Sequence, residues 1–177
     1  MKENEFNLIN YALITRLNKE IKELKKLYQA TVDGDEAFDF HRKCDKIPNI
    51  LVLIKSAGNR RFGGFTTKTW DTCPCRGNTT KGDDNAFLFS LDKNKIYSRT
   101  DKGNAIKCDR ENGPGFESGF HLGNNSIKEK ALYTYESNYN SQYSSFDLNG
   151  DKNALSEDGK SSGIYATECE VFQVIFS

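Results

Sequence analysis

The chain has 177 residues, the size of one domain whose core needs no cross-links to hold it. Its 25 lysines and arginines match its 25 aspartates and glutamates, so no global field draws it to nucleic acid or anionic lipid. No apolar run approaches the roughly 18–20 residues that span a bilayer as a helix.

Met1-Lys2-Glu3-Asn4-Glu5 is not followed by the apolar stretch of a secretory signal. Five cysteines, an odd number without framework spacing, fit a reducing compartment, and a cytoplasmic protein is expected. Residues 5 to about 31 carry a helical pattern. Ile14, Leu17, Ile21, Leu24 and Tyr28 fall on alternating steps of three and four, a seam of about two heptads. Such a stripe either packs on the domain's own sheet or mediates self-association. In the second case the N-terminal helix would be a short coiled-coil segment. A second helix is expected from Asp33, with Glu36 three residues on in a capping-box position, to a stop before Pro48. It should turn Phe38 or Phe40, together with His41, inward.

Beyond Pro48 the pattern becomes short-period, and strands are expected at 50–55, 61–66, 86–91, 95–98, 105–108, 132–136 and 168–176. Ile50 to Ile54 is an unbroken apolar run, so both faces of that strand should be covered. Gly63-Gly64 in the next strand predicts a bulge or a close backbone approach. Gly58-Asn59, Gly82-Asp83, Gly103-Asn104, Gly113-Pro114 and Asn149-Gly150 supply turns. Strands in succession without intervening helices predict a mainly β fold with flanking α: a two-sheet antiparallel β-sandwich with N-terminal helices.

Candidate chemistry is sparse. Gly159-Lys160-Ser161-Ser162-Gly163 has the spacing of a nucleophile elbow but lacks the strand before and helix after, and both histidines, His41 and His121, lie upstream of it. Asp147-Leu148-Asn149-Gly150-Asp151 opens like a calcium loop, yet Lys152 stands where glycine is needed and Asp158 where glutamate is. Cys73-Pro74-Cys75, near Arg76 and Lys81, is the redox candidate, and a thiol-based antioxidant enzyme is the alternative function it defines. Its tight ring and missing strand–helix setting argue against that role, and the absence of a second ligand pair argues against a metal. No cofactor or metal is expected. His41 and Cys44 share a helical face and imitate a nucleophile with its base, although neighbouring Phe38 and Phe40 point to a packed face. Tyr133, Tyr135, Tyr139, Tyr143 and Phe146 form an aromatic-polar tract able to stack sugars or bases, without the basic patch that nucleic acid needs. Glu168 and Glu170 project to one face of the last strand, the face of Phe172, Val174 and Phe176. They either fix the sandwich end, bonded to loop backbone or paired with Arg60 or Arg61, or bind a partner.

Several motifs occur together in order. Asp39-Phe40-His41-Arg42-Lys43-Cys44-Asp45 leads into Pro48-Asn49-Ile50-Leu51-Val52-Leu53-Ile54, then Arg61-Phe62-Gly63-Gly64-Phe65-Thr66 and Trp70. Asp84-Asn85-Ala86-Phe87-Leu88-Phe89, Gly113-Pro114-Gly115-Phe116 and Glu168-Cys169-Glu170-Val171-Phe172 follow. This series resembles the TLDc domain of the oxidation-resistance proteins over roughly residues 27 to 177, which implies a division into an N-terminal helix over 1–26 and that domain over 27–177. Glu117, Phe120-His121 and a long polar stretch over 148–162 depart from the family pattern. The resemblance implies a β-sandwich and a non-catalytic cytosolic regulator. Its expected partners are subunits of the peripheral sector of V-type ATPases, and its expected role is in oxidative-stress resistance.

Overall fold

The computed structural model describes residues 1–71, 79–100, 103–134, 145–148, 151, 153–155 and 164–177. Helix α1 spans Glu3–Leu17 and ends where Asn18 turns left-handed, φ 54°, its N–H donating to the Ile14 carbonyl at 2.9 Å. Strand β1 (Ile21–Gln29), the single turn α2 (Ala30–Asp33) and helix α3 (Ala37–Cys44) follow. The rest is strand: β2 (Ile50–Ser56), β3 (Arg61–Thr66), β4 (Thr79–Lys81), β5 (Phe87–Ser90), β6 (Lys95–Ser98), β7 (Ile106–Cys108), β8 (Asn112–Phe116), β9 (Phe120–Gly123), β10 (Leu132–Thr134) and β11 (Ala166–Phe176).

The expected helix over 5–31 is thus two elements, and the heptad seam does not lie along one helix. Its second half is a strand whose apolar residues recur every third position because β1 is irregular. Register shifts against β11 between Ile21 and Glu23 and between Lys26 and Tyr28 each insert a residue. Ile21, Leu24 and Leu27 therefore face protein at a spacing that imitates a helix. Outward lysines and glutamates suit the place β1 takes at the sheet edge.

One sheet has the order β1-β11-β2-β3-β5-β6, the other β10-β9-β8-β7-β4, and all the pairings are antiparallel. The expected β-sandwich is the observed one. Alternation along β2 explains its continuous apolar run. Ile50, Val52 and Ile54 join the core between the sheets with Phe62, Leu88, Phe116, Phe120 and Leu132. Leu51 and Leu53 point the other way, into a second core where Ile9, Ala12 and Leu13 of α1 cover Phe65, Phe87, Phe89 and Val174. Of the N-terminal stripe, Leu17, Ile21 and Leu24 pack on the domain's own sheet in this second core and Tyr28 enters the first, while the α1 residues buried deepest there, Ile9, Ala12 and Leu13, lie off the stripe.

Gly63-Gly64 is a close approach and not a bulge, since the β2–β3 register runs unbroken. A Cβ at Gly63 would lie 1.9 Å from the Val52 carbonyl oxygen, and one at Gly64 2.7 Å from Phe116 of the opposite sheet. Gly113-Pro114-Gly115, expected as a turn, lies within β8. Pro114 falls inside the register shift between Asn112 and Gly115, where its missing N–H removes no ladder bond.

Helix α3 is fastened to the sandwich by an aromatic chain. Phe40 meets Tyr28 and Trp70 edge-on, and Trp70 in turn meets Phe116. The Trp70 indole N–H donates to the Lys107 carbonyl at 3.1 Å. Phe40 and His41 point inward as expected, and Phe38 points out. The helix starts at Ala37 rather than Asp33, with the Glu36 N–H donating to the Asp39 carboxylate at 3.3 Å.

Candidate functional site

The terminal-strand carboxylates sit on the face of Phe172, Val174 and Phe176, but they do different things. Glu168 accepts hydrogen bonds from the Gln29 side-chain amide at 2.8 Å, the Thr31 backbone N–H at 3.2 Å, the Thr31 hydroxyl, and its own neighbour's N–H, that of Cys169, at 3.0 Å. It ties the β1–α2 corner to β11. Glu170 forms an ion pair with Lys26, whose ammonium also lies 5.6 Å from the Phe172 ring centroid. Side-chain exposures of 45% for Lys26 and 25% for Glu170 leave this pair in contact with water. Of the arrangements expected, Glu168 shows the bond from backbone N–H, and Arg61 pairs with neither carboxylate. Arg61 instead makes a two-pronged pair with buried Glu5, 2.8 Å at its Nη2–Oε2 arm, which anchors α1 to β3. Burial works to raise the Glu5 pKa, but the Arg61 guanidinium and the Lys2 N–H hold it below the ordinary carboxylate value.

Cys73 and Cys75 lie outside the described residues. The three described cysteines, Cys44, Cys108 and Cys169, are free and buried. Burial pushes all three thiols up, and at Cys44 the Asp45 and Asp33 carboxylates add to it, so these sulfurs are not nucleophiles near neutrality.

His41 does not serve Cys44 as a base. Its Nδ1 faces the Asp45 carboxylate at 2.7 Å, and its Nε2 faces the carbonyls of Asp109 and Asn112 at 2.9 and 3.0 Å. Acceptors at both nitrogens favour the doubly donating imidazolium. Burial opposes that charge, but Asp45 and the two carbonyls outweigh it and raise the pKa. The ring clamps α3 to the β7–β8 turn. His121 is its opposite: it stacks on Tyr133 with centroids 4.5 Å apart, and burial aided by Lys107 lowers its pKa to about 4.

Other sequence candidates dissolve into structure or fall outside it. The serine motif at 159–163 and Tyr135, Tyr139 and Tyr143 lie outside the described residues. Phe146 is a core residue against Phe116. Asp151 accepts from the Lys93 ammonium at 2.6 Å, and among the described residues no three His, Cys, Asp or Glu side chains are grouped to hold a metal ion. Asp83 is nearly inaccessible and collects the Thr66 hydroxyl and the Thr67 and Asn85 backbone N–H groups at 2.6–3.1 Å, which pins the turn before β5. Asp35 does the same for the loop at Ser126–Lys128.

One feature escaped the sequence altogether. A half-open cleft of about 400 Å³ is lined by Phe38, His41 and Arg42 of α3 and by Arg110 of the β7–β8 turn. Only the fold brings Arg110 beside α3 and turns the Phe38 ring outward.

An antiparallel two-sheet sandwich, with a helix on the outer face of one sheet and its described thiols sealed in the core, defines a β-sandwich domain of the TLDc type. The chain belongs to the TLDc domain family: the family model matches residues 1–175, which takes in α1 and β1. A search of curated proteins returned no match. Among the described residues no helix is long and apolar enough to cross a membrane.

Proposed function

We propose that this TLDc domain is a non-catalytic interaction module, a cytosolic regulator that engages the peripheral sector of V-type ATPases and contributes to oxidative-stress resistance. The observation that carries the reading is the family match over 1–175, nearly the whole chain. The described titratable groups support it. His41 is fully occupied as a clamp, the buried thiols are held protonated, and Glu168 is committed to the β1–α2 corner. Of the two carboxylates on the last strand, Glu170 is the candidate contact, because its ion pair with Lys26 is water-exposed and exchangeable for a partner's charge. The test is capture of isolated ATPase peripheral sector by the purified chain under reducing conditions, with a Cys73→Ser/Cys75→Ser variant alongside. Equal capture by both proteins supports the reading. Peroxide consumption lost in the variant, together with no capture by either protein, replaces it with a thiol antioxidant acting through Cys73 and Cys75.

A further inference from the structure

The cleft between α3 and the β7–β8 turn has the make-up of a ligand site. Four side chains, three on α3 and one 68 to 72 positions further on in the β7–β8 turn, converge on about 400 Å³, within the range of small-molecule pockets. Its walls are fixed. His41, 5% exposed, forms part of the lining and bonds to both carbonyls that bracket Arg110, those of Asp109 and Asn112. The Asp109 side chain accepts from the Glu111 N–H at 3.0 Å and from the Asn112 amide, which holds the turn carrying Arg110. The two guanidiniums therefore sit on parts of the molecule that cannot drift apart.

The chemistry of the lining is mixed in a particular way. Phe38 is 68% exposed on a helix whose Ala37, Phe40, His41 and Cys44 are all buried. A ring left in water forgoes the gain of burial, so an occupant that covers it is favoured. Arg42 is half-exposed and touches Asp39 only at 3.5 Å. Arg110 is exposed at the tip of its turn. Asp45 balances the His41 charge, Asp39 shares Arg42, and the charged side chains lining the cleft besides His41 are the two guanidiniums of Arg42 and Arg110. Guanidinium planes stack on rings and fork onto carboxylates and phosphates, which Lys cannot do equally.

We propose that this cleft binds a free small molecule consisting of an aromatic ring that bears a phosphate or carboxylate, its ring against Phe38 and its anion between Arg42 and Arg110. The volume accommodates one or two rings and not a folded segment. The proposal is independent of ATPase binding, which is assigned to β11, so either can fail alone.

The test is backbone amide NMR titration of the full chain with phenyl phosphate and benzoate, with inorganic phosphate and phenol as half-ligand probes. Saturable shifts confined to residues 37–44 and 109–112 are expected for at least one aryl anion. Binding of either half-ligand should be weaker by about tenfold or more, equivalent to about 1.4 kcal/mol. Phe38→Ala and Arg110→Gln, both exposed positions, should each weaken aryl-anion binding several-fold while the melting temperature holds. No saturable shift at millimolar concentration, or shifts centred elsewhere, overturns the proposal. So does inorganic phosphate binding as tightly as phenyl phosphate, which would reduce the cleft to a simple anion patch. A phosphotyrosine peptide that binds tenfold more tightly than phenyl phosphate overturns the choice of a free small molecule in favour of a protein partner.

Discussion

Replacing Glu168 and Glu170 separately by alanine should separate two roles that the sequence presents as one pair. Glu168 accepts from a backbone N–H at Thr31, a hydroxyl and a side-chain amide, and these bonds bridge β11 to the β1–α2 corner. Hydrogen bonds to a charged group contribute roughly 1.5–3 kcal/mol each when dry. Thr31 is exposed, so water takes over part of the loss, and the expected net cost of Glu168→Ala is about 2 kcal/mol. For a chain of this length that corresponds to a melting temperature lower by about 4–8 °C. Glu170→Ala removes one solvated ion pair with Lys26, a type of contact contributing about 0–1 kcal/mol, and should shift the melt little. Urea unfolding monitored by Trp70 fluorescence, with thermal scans in parallel, measures both. Equal costs for the two substitutions, or a Glu168→Ala protein as stable as the parent, would refute the assignment of Glu168 as the tie and Glu170 as the freer group.

The two histidines set opposite slopes of stability with pH. His41 has a raised folded pKa, so its stabilisation is full below its ordinary value of 6.5 and is lost as pH rises through the folded value. His121 titrates near 4 when folded, so the unfolded chain binds the extra proton and stability falls as pH drops from 6.5 toward 4. Denaturant midpoints across that range should peak near 6.5, with His41→Gln flattening the alkaline side and His121→Asn the acid side. Leu13→Ala should cost about 2–5 kcal/mol in a melt without changing the mass seen by light scattering, because Leu13 packs on the chain's own sheet; a mass halved with the fold intact would show the helix to be intermolecular. Gly63→Ala should cost more than about 3 kcal/mol in the same melt, since its Cβ meets a backbone oxygen that has no rotamer to retreat into.

Much of the fold was legible because alternation and burial coincide where strands are regular. Ile50 to Ile54 announced a strand covered on both sides, and α1 is what covers its second side. The glycine pair announced a bulge or a close approach, and it is the second, Val52 meeting Gly63 and Phe116 meeting Gly64. Reading failed where local irregularity disguised the period. Bulges gave β1 a three-residue spacing, and Pro114 made β8 look like a turn. Strands as short as β4 and β9 hold too few residues to show a period at all. At the site level, residue type did not reveal allegiance. Glu168 and Glu170 look alike in sequence and differ only in which neighbours β1 presents to them. Arg61 was available on paper to either carboxylate, and α1 placed Glu5 against it instead. Arg110 joins Phe38 in one cleft through contacts some 70 positions apart, which local pattern cannot register.

Whether this TLDc domain acts by binding or by thiol chemistry is decided by capture of purified V-type ATPase peripheral sector on the immobilised chain. Parent and Cys73→Ser/Cys75→Ser proteins should be compared under reducing conditions. Saturable capture is expected, equal for the two proteins and weaker for a Glu170→Ala protein that melts like the parent. Absence of capture by the folded parent, with peroxide consumption that disappears when Cys73 and Cys75 are replaced, would contradict a binding role.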